Sequence, residues 1–419
     1  MNRYTPPLGK WGMAFAYGVL ALLLLFCRDS MISTEIVGFY TAQYITLGLI
    51  LVVGVGFLAA NFRRWRELLR DRRVLLLVAA AVICLLPMLA KGDWQLMYFS
   101  VLLCVLLGIF LTFFLDWQQL AKGYVCILAV LSVYSVLAAY VLRLGVDYGF
   151  YRVPTFINGA EFEFHNFFLA VVPDTYVKNR NFGIFREPGV YQFFLLLGLY
   201  LNNDWISWDK PGNQWAVNGI LAVTMLTTFA TGGVIEMGLL AVVLFLDKKW
   251  YRNTKIRRWA LGLVVLVLAL VVFCVVTQNG LYWAVYDMFI GKFQGGNETG
   301  SDRLQSILCN ARAFLDSPLV GKPLEQVLYA VLNNTSSTTI LLAGFGILGG
   351  SLHAAAWLTL VWKRQRGIWA NLSYYVILLM SFNTQNLIAD VFLWLFPMMA
   401  LTDTLLSFGK GRKGENHGS

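Results

Sequence analysis

Two arginines stand six residues apart in a polar stretch that runs directly into an apolar segment. The stretch begins at Arg180, and Arg186 is followed by Glu187, Pro188 and Gly189. A guanidinium group is a planar fork that binds paired phosphate oxygens, and it stays charged at physiological pH. The pattern predicts a site for an anionic headgroup. The alternative is that both arginines anchor to lipid headgroups or pair with nearby acids.

A third arginine, Arg303, is predicted in the first turn of an amphipathic helix over 301–315, with Ser301 or Asp302 as its N-cap and a stop at Asp316. A helix N-terminus favours phosphate, but a surface pair with Asp302 or Gln305 is the alternative. Such a helix lies on a leaflet or roofs a cavity between spans. Pro323 is expected to start a second helix. The apolar stripes are Leu304, Ile307, Leu308, Ala311 and Leu315 in the first helix, and Leu324, Val327, Leu328 and Val331 in the second.

Several acids and one histidine are candidate general bases, which must lie near an attacking hydroxyl. They are Glu161, Glu163, His165, Asp174 and Glu187. A structural role for His165 is the alternative. Glu161 and Glu163 alternate along the chain and share a face if it is extended, but a metal needs a dedicated cluster of oxygens. We therefore predict no metal and no cofactor.

Two further acids, Glu236 and Asp390, fall within or beside apolar segments. Ionisable residues in membrane spans usually face a cavity or a partner, and they mark substrate or ion pathways. They are the main support for a transporter. A polar contact between packed helices is the alternative.

The composition decides which class of protein can hold these residues. Of 419 residues, 58% are hydrophobic and 13% are charged, and the mean hydropathy is +0.64. Soluble domains carry roughly 45–50% apolar and about 25% charged residues, and disordered chains are still more polar. Six cysteines without a CxxC pattern indicate neither zinc nor a disulfide framework. The chain is therefore predicted to be a polytopic membrane protein.

Apolar runs predict an all-α fold in one membrane domain, 1–419, with about twelve spans. Two long connections, 143–188 and 278–338, lie on one side and are predicted to contain amphipathic helices, and the basic tail 409–419 is predicted to be disordered. The spans are expected near 11–27, 39–60, 74–90, 96–115, 124–142, 189–202, 216–232, 234–246, 259–277, 339–362, 369–382 and 387–408.

Charge orients these spans. With twelve spans, one side holds 22 Lys and Arg against seven acids, and the side with the long connections holds 11 against 13. The positive-inside rule makes the basic side, with both termini, cytoplasmic. Because these cations flank membrane spans, anionic membrane lipids are the expected partner, and nucleic acid is not.

Three local patterns, taken in order and on one side of the membrane, resemble the O-antigen polymerase and O-antigen ligase superfamily, which includes capsule and exopolysaccharide polymerases. The resemblance covers the architecture of most of the chain. The patterns are Arg180-x-x-Gly183 with Arg186-Glu187-Pro188-Gly189; Gly300-Ser301-Asp302-Arg303-Leu304 with Ser317-Pro318-Leu319-Val320-Gly321; and Asn333-Asn334-Thr335 before Leu341-Leu342-Ala343-Gly344-Phe345-Gly346-Ile347-Leu348-Gly349.

The resemblance implies a glycosyltransferase at the outer face of the bacterial cytoplasmic membrane. Its substrate would be an oligosaccharide on a polyprenyl diphosphate such as undecaprenyl diphosphate, held by Arg180, Arg186 and Arg303, and its partners a chain-length regulator and a flippase. Ligases of the superfamily typically place a His where this chain reads Asn333-Asn334-Thr335-Ser336. This departure favours a polymerase. A ligase, a protein O-glycosyltransferase and a transporter or flippase remain alternatives.

Overall fold

The computed structural model describes residues 10–32, 35, 37–60, 65–158, 162–174, 179–278, 282–283, 286, 299–331 and 334–414. Within them the chain is mostly helical. The helices are α1 (Lys10–Leu25), α2 (Phe39–Ala60), α3 (Trp65–Leu69), α4 (Arg72–Lys91), α5 (Leu96–Leu111), α6 (Trp117–Leu137), α7 (Arg143–Asp147), α8 (Pro188–Asp204), α9 (Pro211–Thr227), α10 (Thr231–Asp247), α11 (Thr254–Thr277), α12 (Thr299–Asp316), α13 (Leu324–Tyr329), α14 (Ser337–Val361), α15 (Ile368–Phe382) and α16 (Val391–Gly414).

Each predicted span overlaps one or two of these helices, and among the described residues four helical stretches are long and apolar enough to cross a membrane. The chain is thus a largely helical protein with apolar helices suited to a bilayer. The last helix continues to Gly414, so it includes the start of the tail predicted to be disordered, and 415–419 lie outside the described residues. The four long stretches are Arg72–Lys91, Trp117–Asp147, Thr254–Thr277 and Ser337–Val361.

Helix α8 lies at the centre of the bundle. Almost every one of its residues is buried, and it packs against α6, α9, α10 and α15. A helix that is apolar all round has no solvent face and belongs in a core or a membrane. Pro188 occupies the first turn, where the proline ring fits and its missing N–H costs nothing. The start of α8 is therefore held firmly, together with the Arg186 and Glu187 that precede it.

The mostly helical chain has a small β-sheet in the connection 143–188, where the sequence predicted an amphipathic helix. Strands β1 (Thr155–Ile157), β2 (Glu163–Asn166) and β3 (Val171–Pro173) pair antiparallel in that order. Aromatic cross-strand neighbours stabilise such pairs, and the rings of Phe156 and Phe164 stack with centroids 5.6 Å apart. Strands this short carry too little alternation to be distinguished from a loop in the sequence.

Helix α12 turns its polar face toward the bundle. It ends at Asp316 as predicted but begins at Thr299, before the expected cap. Its apolar stripe is exposed, with Leu304 59% and Leu315 73% accessible, whereas Ser306 and Asn310 are buried. The buried face is satisfied by hydrogen bonds, which pair Asn310 with the side chains of Asn334 and Thr339. Lipid hydrocarbon is as apolar as leucine, so this orientation suits a helix that contacts a membrane.

The loop after α12 is inserted into a break in α14. Gly346 has a φ of +65°, and the break frees a carbonyl and an amide of the helix backbone. The loop satisfies both, because Lys322 N–H donates to Ala343 O at 2.7 Å and Ile347 N–H donates to Pro318 O at 2.7 Å. The second and third sequence patterns of the resemblance are therefore in direct backbone contact.

Replacing Gly346 with Ala is expected to destabilise the protein. The new Cβ would overlap the carbonyl of Leu319, and a left-handed backbone costs a non-glycine residue roughly 1–3 kcal/mol before the overlap is counted. Thermal unfolding in detergent should show a lower midpoint. Gly238→Ala is the control, since a Cβ there meets nothing within 4 Å. Equal midpoints for Gly346→Ala and wild type would contradict the docked loop.

Candidate functional site

Arg186 is positioned by a backbone pairing between the segment before α8 and the segment after α1. Met31 N–H donates to Ile184 O at 2.6 Å, and Arg186 N–H donates to Asp29 O at 3.0 Å. Ser30 and Phe185 form an antiparallel bridge between these two hydrogen bonds. The two segments thus hold the arginine by its backbone, whatever its side chain binds.

The Arg186 side chain forms an ion pair with Asp29. Nε lies 2.7 Å from Oδ1 of Asp29, whose side chain is only 1% exposed, while 35% of the Arg186 side chain is accessible. The Asp29 carboxylate raises the pKa of Arg186 above its usual value, so the guanidinium is permanently charged. Arg28 adjoins the pair, and burial lowers its pKa. Sequence reasoning missed Arg28 and Asp29, although they directly follow the first apolar run.

Asp390 belongs to the same group of charges. It is fully buried just before α16, and its Oδ1 accepts a hydrogen bond from Phe392 N–H at 2.8 Å. Its Oδ2 has no hydrogen-bond partner among the described residues. The buried acids Asp29 and Asp390 both lie near enough to Arg28 for their charges to act on it. Asp390 therefore has both a capping role and an electrostatic role.

Glu187 is exposed next to Arg186 and is oriented by an amide. Gln385, in the turn between α15 and α16, donates its Nε2–H to Glu187 Oε2 at 2.8 Å. Gly189 permits this approach, because a Cβ at that position would lie 2.8 Å from the same Nε2 atom. Glu187 is therefore an accessible carboxylate with a fixed direction beside a permanent cation.

Gln192, one turn further into α8, lies between the turn that holds Gln385 and the start of α10, which carries Glu236. Gln192 Nε2–H donates to Thr384 Oγ1 at 3.2 Å, and its amide packs against Gly232 and Gly233 at the start of α10. Glu236 is 1% exposed, and its Oε2 has no hydrogen-bond partner among the described residues, as is true of Gln192 Oε1. Buried oxygens without partners are rare in proteins, so these two atoms are candidates for binding a polar ligand.

Arg303 lies in α12 one turn before the buried Ser306, and its own side chain is exposed. Its positive charge acts on the Glu236 carboxylate, which also adjoins Ser381. We call this assembly the polar cluster: Arg28, Asp29, Arg186, Glu187, Gln192, Glu236, Arg303, Thr384, Gln385 and Asp390. Most of its members come from connections predicted to lie outside the membrane on one side. Gln192, Glu236 and Asp390 fall within predicted spans, near the ends on that same side.

Arg180 has a different position from the other two predicted arginines. Its Nε–H donates to Thr228 O at 3.1 Å, just past the last residue of α9, and Asn181 N–H donates to Thr227 O at 2.9 Å. A cation at a helix C-terminus is favoured by the free carbonyls and the helix dipole. The contacts described here give Arg180 a role in holding its segment against α9.

The remaining predicted bases lie away from these contacts. His165 is in β2, with Nε2 3.2 Å from Asp174 Oδ1 and its ring near Phe167, so its contacts are within or beside the sheet. Glu161 lies outside the described residues. Of the predicted bases, Glu187 is the one that the structure places beside Arg186.

Comparison with known proteins finds no relative of this chain. No family model matches the chain. No curated protein and no solved structure matches it either. The function is therefore inferred from the polar cluster and from the class of membrane protein that holds it.

Proposed function

We propose that this protein is a membrane glycosyltransferase that polymerises lipid-linked oligosaccharides. The donor is a glycan on a polyprenyl diphosphate, and the acceptor is a hydroxyl of a second lipid-linked unit. In this proposal twelve helices span the bacterial cytoplasmic membrane, both termini are cytoplasmic, and the polar cluster faces outward. The sidedness follows from the 22 basic residues assigned to the opposite side.

One observation carries the proposal: fixed cations and an oriented carboxylate lie together where the helices end. Arg186 is held by Asp29 and adjoins the exposed Glu187, while the exposed Arg303 is near enough for its charge to act on Glu236. A diphosphate with a hydrocarbon tail is restricted to this level of the protein, because its tail stays in the bilayer. The guanidinium groups offer the paired donors that diphosphate oxygens require.

The chemistry follows from these charges. The acceptor hydroxyl attacks the anomeric carbon, the bond between that carbon and the diphosphate oxygen breaks, and the polyprenyl diphosphate leaves. Negative charge grows on the leaving oxygen in the transition state, so Arg186 and Arg303 lower the barrier. Glu187 accepts the hydroxyl proton, with Gln385 holding its direction.

Replacing Arg303 with Ala tests the proposal, and a second exposed arginine on the same helix, Arg312, provides the control. Loss of one preorganised contact to developing charge typically costs about 10²–10³ in kcat. We expect the rate of polymer synthesis by the Arg303→Ala variant to fall by about that factor. The rate is measured from the amount of polymer resolved on gels over time. Arg312→Ala, an exposed arginine nine residues later in α12, should leave synthesis unchanged. Equal losses in both variants would indicate damage to α12 and contradict a role in binding diphosphate.

Two other functions give different products. A ligase or protein O-glycosyltransferase would move the same glycan to another acceptor, so single transfer without chain growth would identify it. A transporter or flippase is favoured by the buried oxygens of Glu236 and Asp390 that have no hydrogen-bond partner in the described part of the chain. Movement of lipid-linked glycan across liposomes without a new glycosidic bond would support transport and overturn the enzyme proposal.

A further inference from the structure

An apolar cavity of about 590 Å³ lies between α2, α4 and α5, away from the polar cluster. Its lining is hydrocarbon throughout, including Gly54 and Leu58 of α2, Val78 of α4 and Phe110 of α5. The volume falls within the ~300–1,000 Å³ typical of ligand sites. An almost wholly apolar lining suits a hydrocarbon chain and offers no hydrogen-bonding groups to a polar ligand.

One end of the cavity is bounded by arginines. Leu69 of α3 lines the cavity and is followed directly by Arg70, and Arg72 begins α4. Arg73 is buried at this end, with its guanidinium carbon 4.4 Å from the ring centre of Phe113, another lining residue. Asp71 holds Arg73 at 3.0 Å, whereas Arg70 and Arg72 are exposed. The segment 61–73 has six arginines and two acids in all.

From this juxtaposition we propose that the cavity binds one acyl chain of an anionic phospholipid, whose headgroup phosphate contacts Arg70 and Arg72. The apolar lining accounts for the chain, and the charge at the mouth selects the headgroup. Exposed arginines beside a bilayer attract anionic lipids by about 1 kcal/mol each, whereas a zwitterionic lipid gains little. This site is independent of the proposed glycan transfer, because it involves none of the residues of the polar cluster.

The glycines of α2 allow the cavity to be filled without disturbing the fold. A Cβ at Gly54 meets no atom within 4 Å, and the same is true of Gly56, which is outside the cavity lining. Gly54→Leu therefore occupies the cavity, and Gly56→Leu is its matched control on the same helix. The headgroup contact is tested by the double variant Arg70→Gln with Arg72→Gln. Its control is the double variant Arg257→Gln with Arg258→Gln, in the other basic connection.

The experiment is native mass spectrometry of the delipidated full chain after addition of phosphatidylglycerol or phosphatidylcholine. We expect wild type and Gly56→Leu to retain one phosphatidylglycerol in preference to phosphatidylcholine, and Gly54→Leu to lose most of it. Each of Arg70 and Arg72 should contribute about fivefold to retention, and the control pair should have no effect. Equal retention of both lipids, or equal retention by Gly54→Leu and Gly56→Leu, would overturn the proposal. Polyprenyl phosphate is added in a third, separate incubation. If Gly54→Leu lowers the retention of polyprenyl phosphate and not that of phosphatidylglycerol, the cavity belongs to the glycan carrier and the proposal is overturned.

Discussion

Arg186→Ala is expected to abolish detectable polymer synthesis. Two losses combine in this variant. A contact to the leaving diphosphate is removed, which alone costs about 2.7–4 kcal/mol of transition-state stabilisation. The Oδ1 atom of Asp29 also loses its guanidinium partner, 2.7 Å away, in a site that is almost fully buried. Polymer length and the release of polyprenyl diphosphate by purified protein are the measurements.

The second loss requires its own control, because breaking a buried ion pair typically costs about 3–5 kcal/mol of stability. The double variant Asp29→Asn with Arg186→Gln removes both charges and leaves an amide pair, so it should fold nearly as well as wild type and remain inactive. Arg152→Ala, an exposed arginine in the same connection, should be fully active. An active double variant would show that Arg186 serves only to neutralise Asp29, and it would contradict the proposed role.

Asp204→Ala is expected to cause the largest loss of stability. The Asp204 carboxylate is completely buried at the opposite end of α8 and is bound by Arg366 and by Lys363 at 3.1 Å, while Lys248 lies 3.6 Å away. Arg366 also pairs with Asp247 at 3.0 Å, so one network joins the ends of α8 and α10 to the turn between α14 and α15. Removing the central acid leaves cations in a buried site without compensation.

We expect Asp204→Ala to lower the free energy of unfolding by about 3–5 kcal/mol. Asp204→Asn keeps an acceptor for the hydroxyl of Tyr200, 2.9 Å away, and should lose less. Asp209→Ala, an exposed acid five residues later, is the control and should change little. Denaturant unfolding in detergent measures all three, and equal midpoints for Asp204→Ala and Asp209→Ala would refute the network's role.

Helix positions were largely predictable, because apolar runs of bilayer length are a strong and local signal. The stop at Asp316 and the entry of Pro188 into α8 were predicted by the same local rules. The sheet was missed because strands of three or four residues carry little periodicity. The orientation of α12 was left open, because the sequence defines a stripe but not which face the bundle receives.

The candidate site was predictable only in its local part. Arg186 and Glu187 are adjacent in the chain, and the structure keeps them together beside Gln385. Their partner Asp29 lies 157 residues away, and no local pattern connects the two. Contacts of this kind depend on which helix ends meet, and that is decided by packing across the whole bundle.

The most direct test is chemical. Purified protein in lipid nanodiscs would be incubated with a defined oligosaccharide on polyprenyl diphosphate, and the products sized. We predict longer glycans joined by new glycosidic bonds, one free polyprenyl diphosphate released for each bond, and neither product with Arg303→Ala. If folded protein leaves the substrate intact and releases no polyprenyl diphosphate, the result contradicts the proposal that these guanidinium groups stabilise a departing diphosphate.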